Sequence, residues 1–87
     1  MNPTDLQGLL MYLDRADELW DRHRSRWIGR RVRLCKSIVA GSRVVLQVGT
    51  LGEIVDLTRE RTAPFKVRFE GFPHTVVPLL EKLDILA

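Results

Sequence analysis

From Phe65 to Glu70 apolar and charged residues alternate strictly, with Phe65, Val67 and Phe69 set against Lys66, Arg68 and Glu70. Side chains of a strand point alternately to its two faces, so the first set belongs to a core and the second to water. A slip of one residue would exchange the faces, which fixes the register. Upstream, the run from Val48 to Leu57 feeds two glycines, Gly49 and Gly52, into an Ile/Val/Leu segment. This pattern predicts a tight turn opening a buried strand, with Gly52 in a backbone conformation that other residues adopt poorly. Thr58 to Pro64 is polar and ends in proline, so the two runs form a hairpin with one wet face.

The other segments give shorter elements. Arg31 to Ile38 alternates and predicts a first strand, with Val32, Leu34 and Ile38 inward and Arg31, Arg33 and Cys35 on the other face. Ala40 to Arg43 breaks the pattern, and Val44 to Val48 is a short strand or an ordered loop. Gly71 to His74 is a turn, Thr75 to Val77 a short strand stopped by Pro78, and Leu79 to Leu86 one helical turn running into an edge strand. At the other end, Pro3 and Asp5 suit a helix start. Leu6, Leu9, Leu13, Ala16, Trp20, His23 and Trp27 recur at spacings of three and four, predicting one amphipathic helix of roughly twenty residues.

At 87 residues the chain has room for one domain, with residues 1–28 as helix and connection and residues 29–87 as a β-unit. No run of 18 apolar residues is present, so no membrane helix is expected. The N-terminal residues lack the basic, apolar and small-residue regions of a signal peptide, and the single cysteine, Cys35, has no disulfide partner. A cytoplasmic location is the expectation.

Charge is distributed unevenly. Residues 1–21 hold five acids and one base, and residues 22–43 hold eight bases and no acid. Residues 44–87 hold five bases and six acids. The basic run is a candidate anion-binding surface, with Arg26, Arg30, Arg31, Arg33 and Lys36 joined by Lys66 and Arg68 from the hairpin. The competing explanation is a solvated or internally paired set, since Glu18 with Arg22 and Asp21 with Arg24 are spaced for helix ion pairs. Trp20 and Trp27 are read as core residues. The alternative is that Leu6, Leu9, Leu13 and Trp20 form a docking face for a partner helix or a second copy of the chain.

Catalytic candidates are few. His23 and His74 have no companions at metal-ligand spacing, and Cys35 has no orienting base, so it is read as a buried or half-buried structural thiol. Gly49 to Gly52 lacks the Gly-Lys-Ser/Thr ending of a phosphate loop. No catalytic residue, metal, cofactor or small-molecule substrate is expected.

From Gly29 to Leu86 the order Gly-x-x-Val-x-Leu, Gly-Thr-x-Gly-x-Ile-Val, Val-x-Phe, Val-Val and a Leu-rich end resembles the SH3-like barrels of the KOW type. It is also similar to the small SH3-like accessory subunits of photosynthetic electron-transfer complexes. The expected fold is therefore mainly β, a small SH3-like partly open barrel preceded by one N-terminal amphipathic helix. The KOW resemblance implies a non-enzymatic module binding RNA or a ribonucleoprotein through its basic face. The second resemblance implies an accessory or assembly subunit that docks an acidic protein. Against nucleic acid, no aromatic residue shares the outward faces of Arg31, Arg33 or Arg68, so bases lack a stacking platform.

Overall fold

A computed structural model describes residues 3–12 and 17–86. In chain order the elements are helices α1 (Pro3–Tyr12) and α2 (Asp17–Trp27), then strands β1 (Arg31–Leu34), β2 (Ile38–Ala40), β3 (Arg43–Leu46), β4 (Leu51–Leu57), β5 (Phe65–Phe69), β6 (Thr75–Val76) and β7 (Leu83–Ile85). A single 3₁₀ turn, Leu80–Lys82, precedes β7. The protein is mainly β.

Five strands form an open antiparallel sheet in the order β6-β5-β4-β1-β7, and β2 with β3 forms a separate two-stranded ribbon. The hairpin from β4 to β5 has the expected register: Phe65, Val67 and Phe69 are buried, while Lys66 and Arg68 are exposed. In β1, Val32 and Leu34 are buried between exposed Arg31 and Arg33. These inward residues join Ile54, Leu57 and Leu83 in one core, which Leu46 of the ribbon and Leu9 and Trp27 of the helices complete.

Three expectations are corrected. The strand expected over residues 31–38 ends at Leu34, and Ile38 belongs to the ribbon. The β1–β7 ladder runs one bond further, with the Cys35 amide donating to Lys82 O at 2.8 Å, and the chain leaves the sheet after it. The N-terminal segment is not the clearly amphipathic helix expected, its described helical stretches being α1 and α2. On α1 apolar residues are not confined to one stripe: Leu6, Leu9 and Leu10 pack against the core, but Met11 is 57% exposed. The expected positions Leu13 and Ala16 lie outside the described residues. On α2 a stripe is visible, with Trp20, His23, Arg24 and Trp27 turned inward and Asp21, Arg22, Ser25 and Arg26 exposed.

The third correction concerns Gly52, which is not the turn residue. The turn belongs to Gly49, whose φ is +91°, whereas Gly52 lies within β4 and lacks a positive φ. Gly52 is demanded by packing instead. A β-carbon there would stand 2.7 Å from Val67 Cγ1, 2.8 Å from Phe69 Cδ1 and 3.0 Å from Arg68 O. The β5 side chains lean over β4 into the space that the missing side chain leaves.

Between Ile54 and Asp56 the β4–β5 register shifts, because Val55 is an extra residue on β4. Period two alone would bring Asp56 inward after Gly52 and Ile54. The bulge instead buries Leu57 and leaves Asp56 half-buried at the rim, within reach of α2.

Gly52→Ala is expected to destabilise the protein by about 1–3 kcal/mol, the usual cost of overfilling a packed core. Gly49→Ala, with open space around its β-carbon, is expected to cost about 1 kcal/mol through its backbone alone. Thermal denaturation of the two variants measures both costs, and a wild-type midpoint for Gly52→Ala would contradict the close approach of β5.

Candidate binding surfaces

The arginines that are contiguous in sequence separate into three groups in space. The first lies at the end of α2. Arg24 Nε donates to Asp56 Oδ1 at 2.9 Å, bracing the helix against β4 rather than pairing with Asp21 along the helix. Arg30 Nε donates to Arg26 O at 3.1 Å and so satisfies a carbonyl of the last helical turn. Its guanidinium also lies 4.7 Å from the centre of the Trp27 ring. Arg22 and Arg26 are exposed one turn apart.

The second group lies on the outer face of the sheet, and here antiparallel pairing brings in acids distant in sequence. Arg31 stands opposite Glu53, and its Nη2 donates to Glu70 Oε1 at 3.1 Å. Arg33 stands opposite Asp84, with Nη2 3.7 Å from Oδ2. Arg68 is also opposite Glu53, and Lys66 is opposite Asp56. Four cations therefore share this face with Glu53, Glu70 and Asp84, while Asp56 at its rim is held by Arg24. Around Arg31 and Arg68 the surface dips into a shallow depression whose walls also carry Glu53 and Glu70, so the depression has no net charge.

The third group is Lys36 and Arg43, both exposed, which flank β2 and β3. β1 separates them from the helix cations. Of the expected site residues, Arg31, Arg33, Lys66 and Arg68 are thus brought together but matched with acids. Arg26 and Arg30 sit at one end of β1 and Lys36 beyond the other. Lys36, Arg43, Arg22 and Arg26 form no ion pair among the described residues.

The expected helix docking face is largely used within the chain. Leu9 is fully buried, and Leu6 and Trp20 pack against the core. Leu13 lies outside the described residues. The Arg59 guanidinium covers Trp20 at 4.2 Å from the ring centre.

Cys35 is exposed, not buried or half-buried as its sequence context suggested. Its thiol donates to Glu81 O at 3.3 Å. Among the described residues no group of three or more His, Cys, Asp or Glu side chains is placed to hold a metal ion. No described helix is long and apolar enough to cross a membrane.

Sequence reasoning passed over one surface. Val39 and Val44 stand opposite each other across the ribbon and are 50% and 51% exposed, with Val45 and Val48 also open to solvent. Its only signal in the sequence is a β-branched run that contains no acid and has no second run to pair with across a core. No protein-family model matches the chain, and no curated protein or solved structure matches it either.

The Asp56 carboxyl is held below its ordinary value of 3.8, first by the Leu57 amide donating to Oδ1 at 2.8 Å and then by Arg24. A carboxyl with a lowered folded-state pKa adds stability above its unfolded value and loses it as pH falls through the folded value. Asp56→Asn is therefore expected to cost stability at neutral pH, with the deficit closing only below the ordinary value of 3.8. Both partners are more than a third exposed, so solvent screening keeps the deficit within about 1 kcal/mol. Urea unfolding across a pH series measures it, and a deficit unchanged down to about pH 2.5 would remove the ion pair as its source.

Proposed function

We propose that the chain is a non-enzymatic docking module with an SH3-like, partly open barrel fold, acting as an accessory or assembly subunit that engages an acidic partner protein. The fold assignment is supported by where the resemblance falls. Gly-x-x-Val-x-Leu runs from Gly29 to Leu34 through β1, Gly-Thr-x-Gly-x-Ile-Val leads into β4, and Val-x-Phe lies on β5. The Val-Val pair begins on β6, and the Leu-rich end spans the 3₁₀ turn and β7.

One observation carries the choice of partner. The sheet face that holds Arg31, Arg33, Lys66 and Arg68 interleaves them with the carboxylates Glu53, Glu70 and Asp84. A surface that follows a nucleic-acid backbone needs cations left free for successive phosphates, because affinity comes from neutralising them. Interleaved charge of both signs favours instead a protein surface, where complementary patterns fix orientation and exclude wrong partners. Arg22 and Arg26 at one end of β1 and Lys36 and Arg43 at the other, without ion-pair partners among the described residues, give that surface its preference for an acidic partner, mainly through the association rate.

Titration with single-stranded RNA and duplex DNA over a salt series tests this proposal. The expected result is no measurable binding at physiological salt and a log–log salt slope no steeper than about −2 where binding appears at low salt. A slope of about −5 or steeper, together with weakened binding of unrelated sequences by Arg31→Ala/Arg33→Ala, would overturn it in favour of a phosphate-binding role.

A further inference from the structure

The β2–β3 ribbon is anchored by one face and presents the other. Leu46 is buried in the core, and its cross-strand partner Ile38 packs against it. Val39 and Val44, paired one step further along, fall on the opposite face by the alternation of a strand. The register shift between Ile38 and Val39 leaves Val45 as the extra residue of a bulge, which turns it outward as well. Val39, Val44, Val45 and Val48 are 50%, 51%, 38% and 60% exposed, and they make up half of the exposed large hydrophobic residues described.

Isolated exposed valines are ordinary, but Val39, Val44 and Val45 on one small hairpin, the first two directly opposite each other, form a patch, and such patches mark contact surfaces. The charge around them selects the occupant. Residues 35–50 contain two charged side chains, Lys36 and Arg43, and no Asp or Glu. Arg43 immediately precedes Val44, across the strands from Ala40. A second copy docked through this patch would set these cations against their own counterparts, a repulsion that no acid in the segment relieves. Nor does the patch contain an aromatic ring on which a base could stack.

We infer that the outer face of the ribbon is the contact site for the acidic partner, with Val39, Val44 and Val45 meeting an apolar centre and Lys36 and Arg43 meeting carboxylates at its rim. This inference rests on the docking role proposed above and locates it. A patch whose centre is apolar and whose rim is charged is the ordinary anatomy of a protein contact.

Panning a display library of random twelve-residue peptides on the whole chain tests the inference. The expected selection is rich in Asp and Glu interspersed with apolar residues. Binding of the selected peptides should fall at least tenfold with Val39→Ser/Val44→Ser and with Lys36→Glu/Arg43→Glu. Because Val39 and Val44 are half exposed, the first variant should keep the wild-type melting midpoint within a few degrees, and amide chemical shifts away from the ribbon should not move. Acidic peptides that resist both variants but are lost with Arg22→Glu/Arg26→Glu would overturn the ribbon assignment while leaving the docking role in place. Selection of basic or uncharged peptides, or of none, would also overturn it. Self-association in sedimentation that disappears with Val39→Ser/Val44→Ser would replace the acidic partner with a second copy. Failure of the docking role itself would appear separately, as the steep salt dependence of nucleic-acid binding.

Discussion

The burial of Trp27 is the constraint on which the rest of the arrangement depends. A five-stranded open sheet in an 87-residue chain has one apolar face to cover and little material to cover it with. Trp27 supplies the largest fully buried side chain, with its ring centre 5.1 Å from that of Phe65. Truncating an aromatic residue so placed typically costs about 3–5 kcal/mol, a large part of the stability of a small domain. The neighbouring contacts serve to hold it there. Gly29 N donates to Ile54 O at 2.8 Å and Ile54 N donates to Arg30 O at 2.9 Å, so the link between α2 and β1 is paired to β4 on both sides of the residue beneath it. Arg24 on Asp56 then sets the lean of the helix, which is possible because the β4 bulge has turned Asp56 to the rim.

The same sheet explains why a run of eight bases without an acid does not become a uniformly basic surface. Antiparallel pairing juxtaposes residues by register, not by proximity in sequence. Glu53, Asp84 and Glu70 reach Arg31 and Arg33 from 22 to 51 positions away. Each exposed pair contributes within about 1 kcal/mol, so together they add little to stability. They also lower the net charge over the sheet, while Arg22 and Arg26 lie beyond one end of β1 and Lys36 and Arg43 beyond the other.

Local patterns were legible in the sequence wherever one residue's position followed from its neighbours. The alternation from Phe65 to Glu70 gave the strand, its buried face and its hairpin with β4, and the final helical turn and edge strand appeared as Leu80–Lys82 and β7. Patterns that depend on a second strand were not legible. Alternation continues across Cys35 and Lys36, so nothing local marks the end of β1; it ends where pairing with β7 runs out, the last bond being from the Cys35 amide to Lys82 O. Two glycines three apart look like one turn, yet only Gly49 has the positive φ, and the reason for Gly52 lies in the β5 side chains above it. The candidate site was legible to the same degree. Its arginines were correctly placed on an outward face, while the acids opposite them required the full topology.

The ribbon differs from the sheet in what its packing leaves unfinished. Its inner face is fixed by Leu46 and Ile38, and its base is held by Gly49 N on Leu34 O at 2.8 Å and by Lys82 Nζ on Ser37 O at 3.4 Å. A two-stranded ribbon alone is marginal in water, so these attachments give the outer face a defined shape. The sheet beneath has already consumed the Trp27, Phe65 and Phe69 side chains that could have covered a second layer. The outer valines are therefore left uncovered on a support that is already ordered, and a contact made there would incur little of the ordering cost that weakens binding by flexible segments. On the docking role proposed above, an apolar ribbon face bordered by Lys36 and Arg43 would take the partner's contact, and the mixed charge of the neighbouring sheet would contribute orientation rather than net attraction.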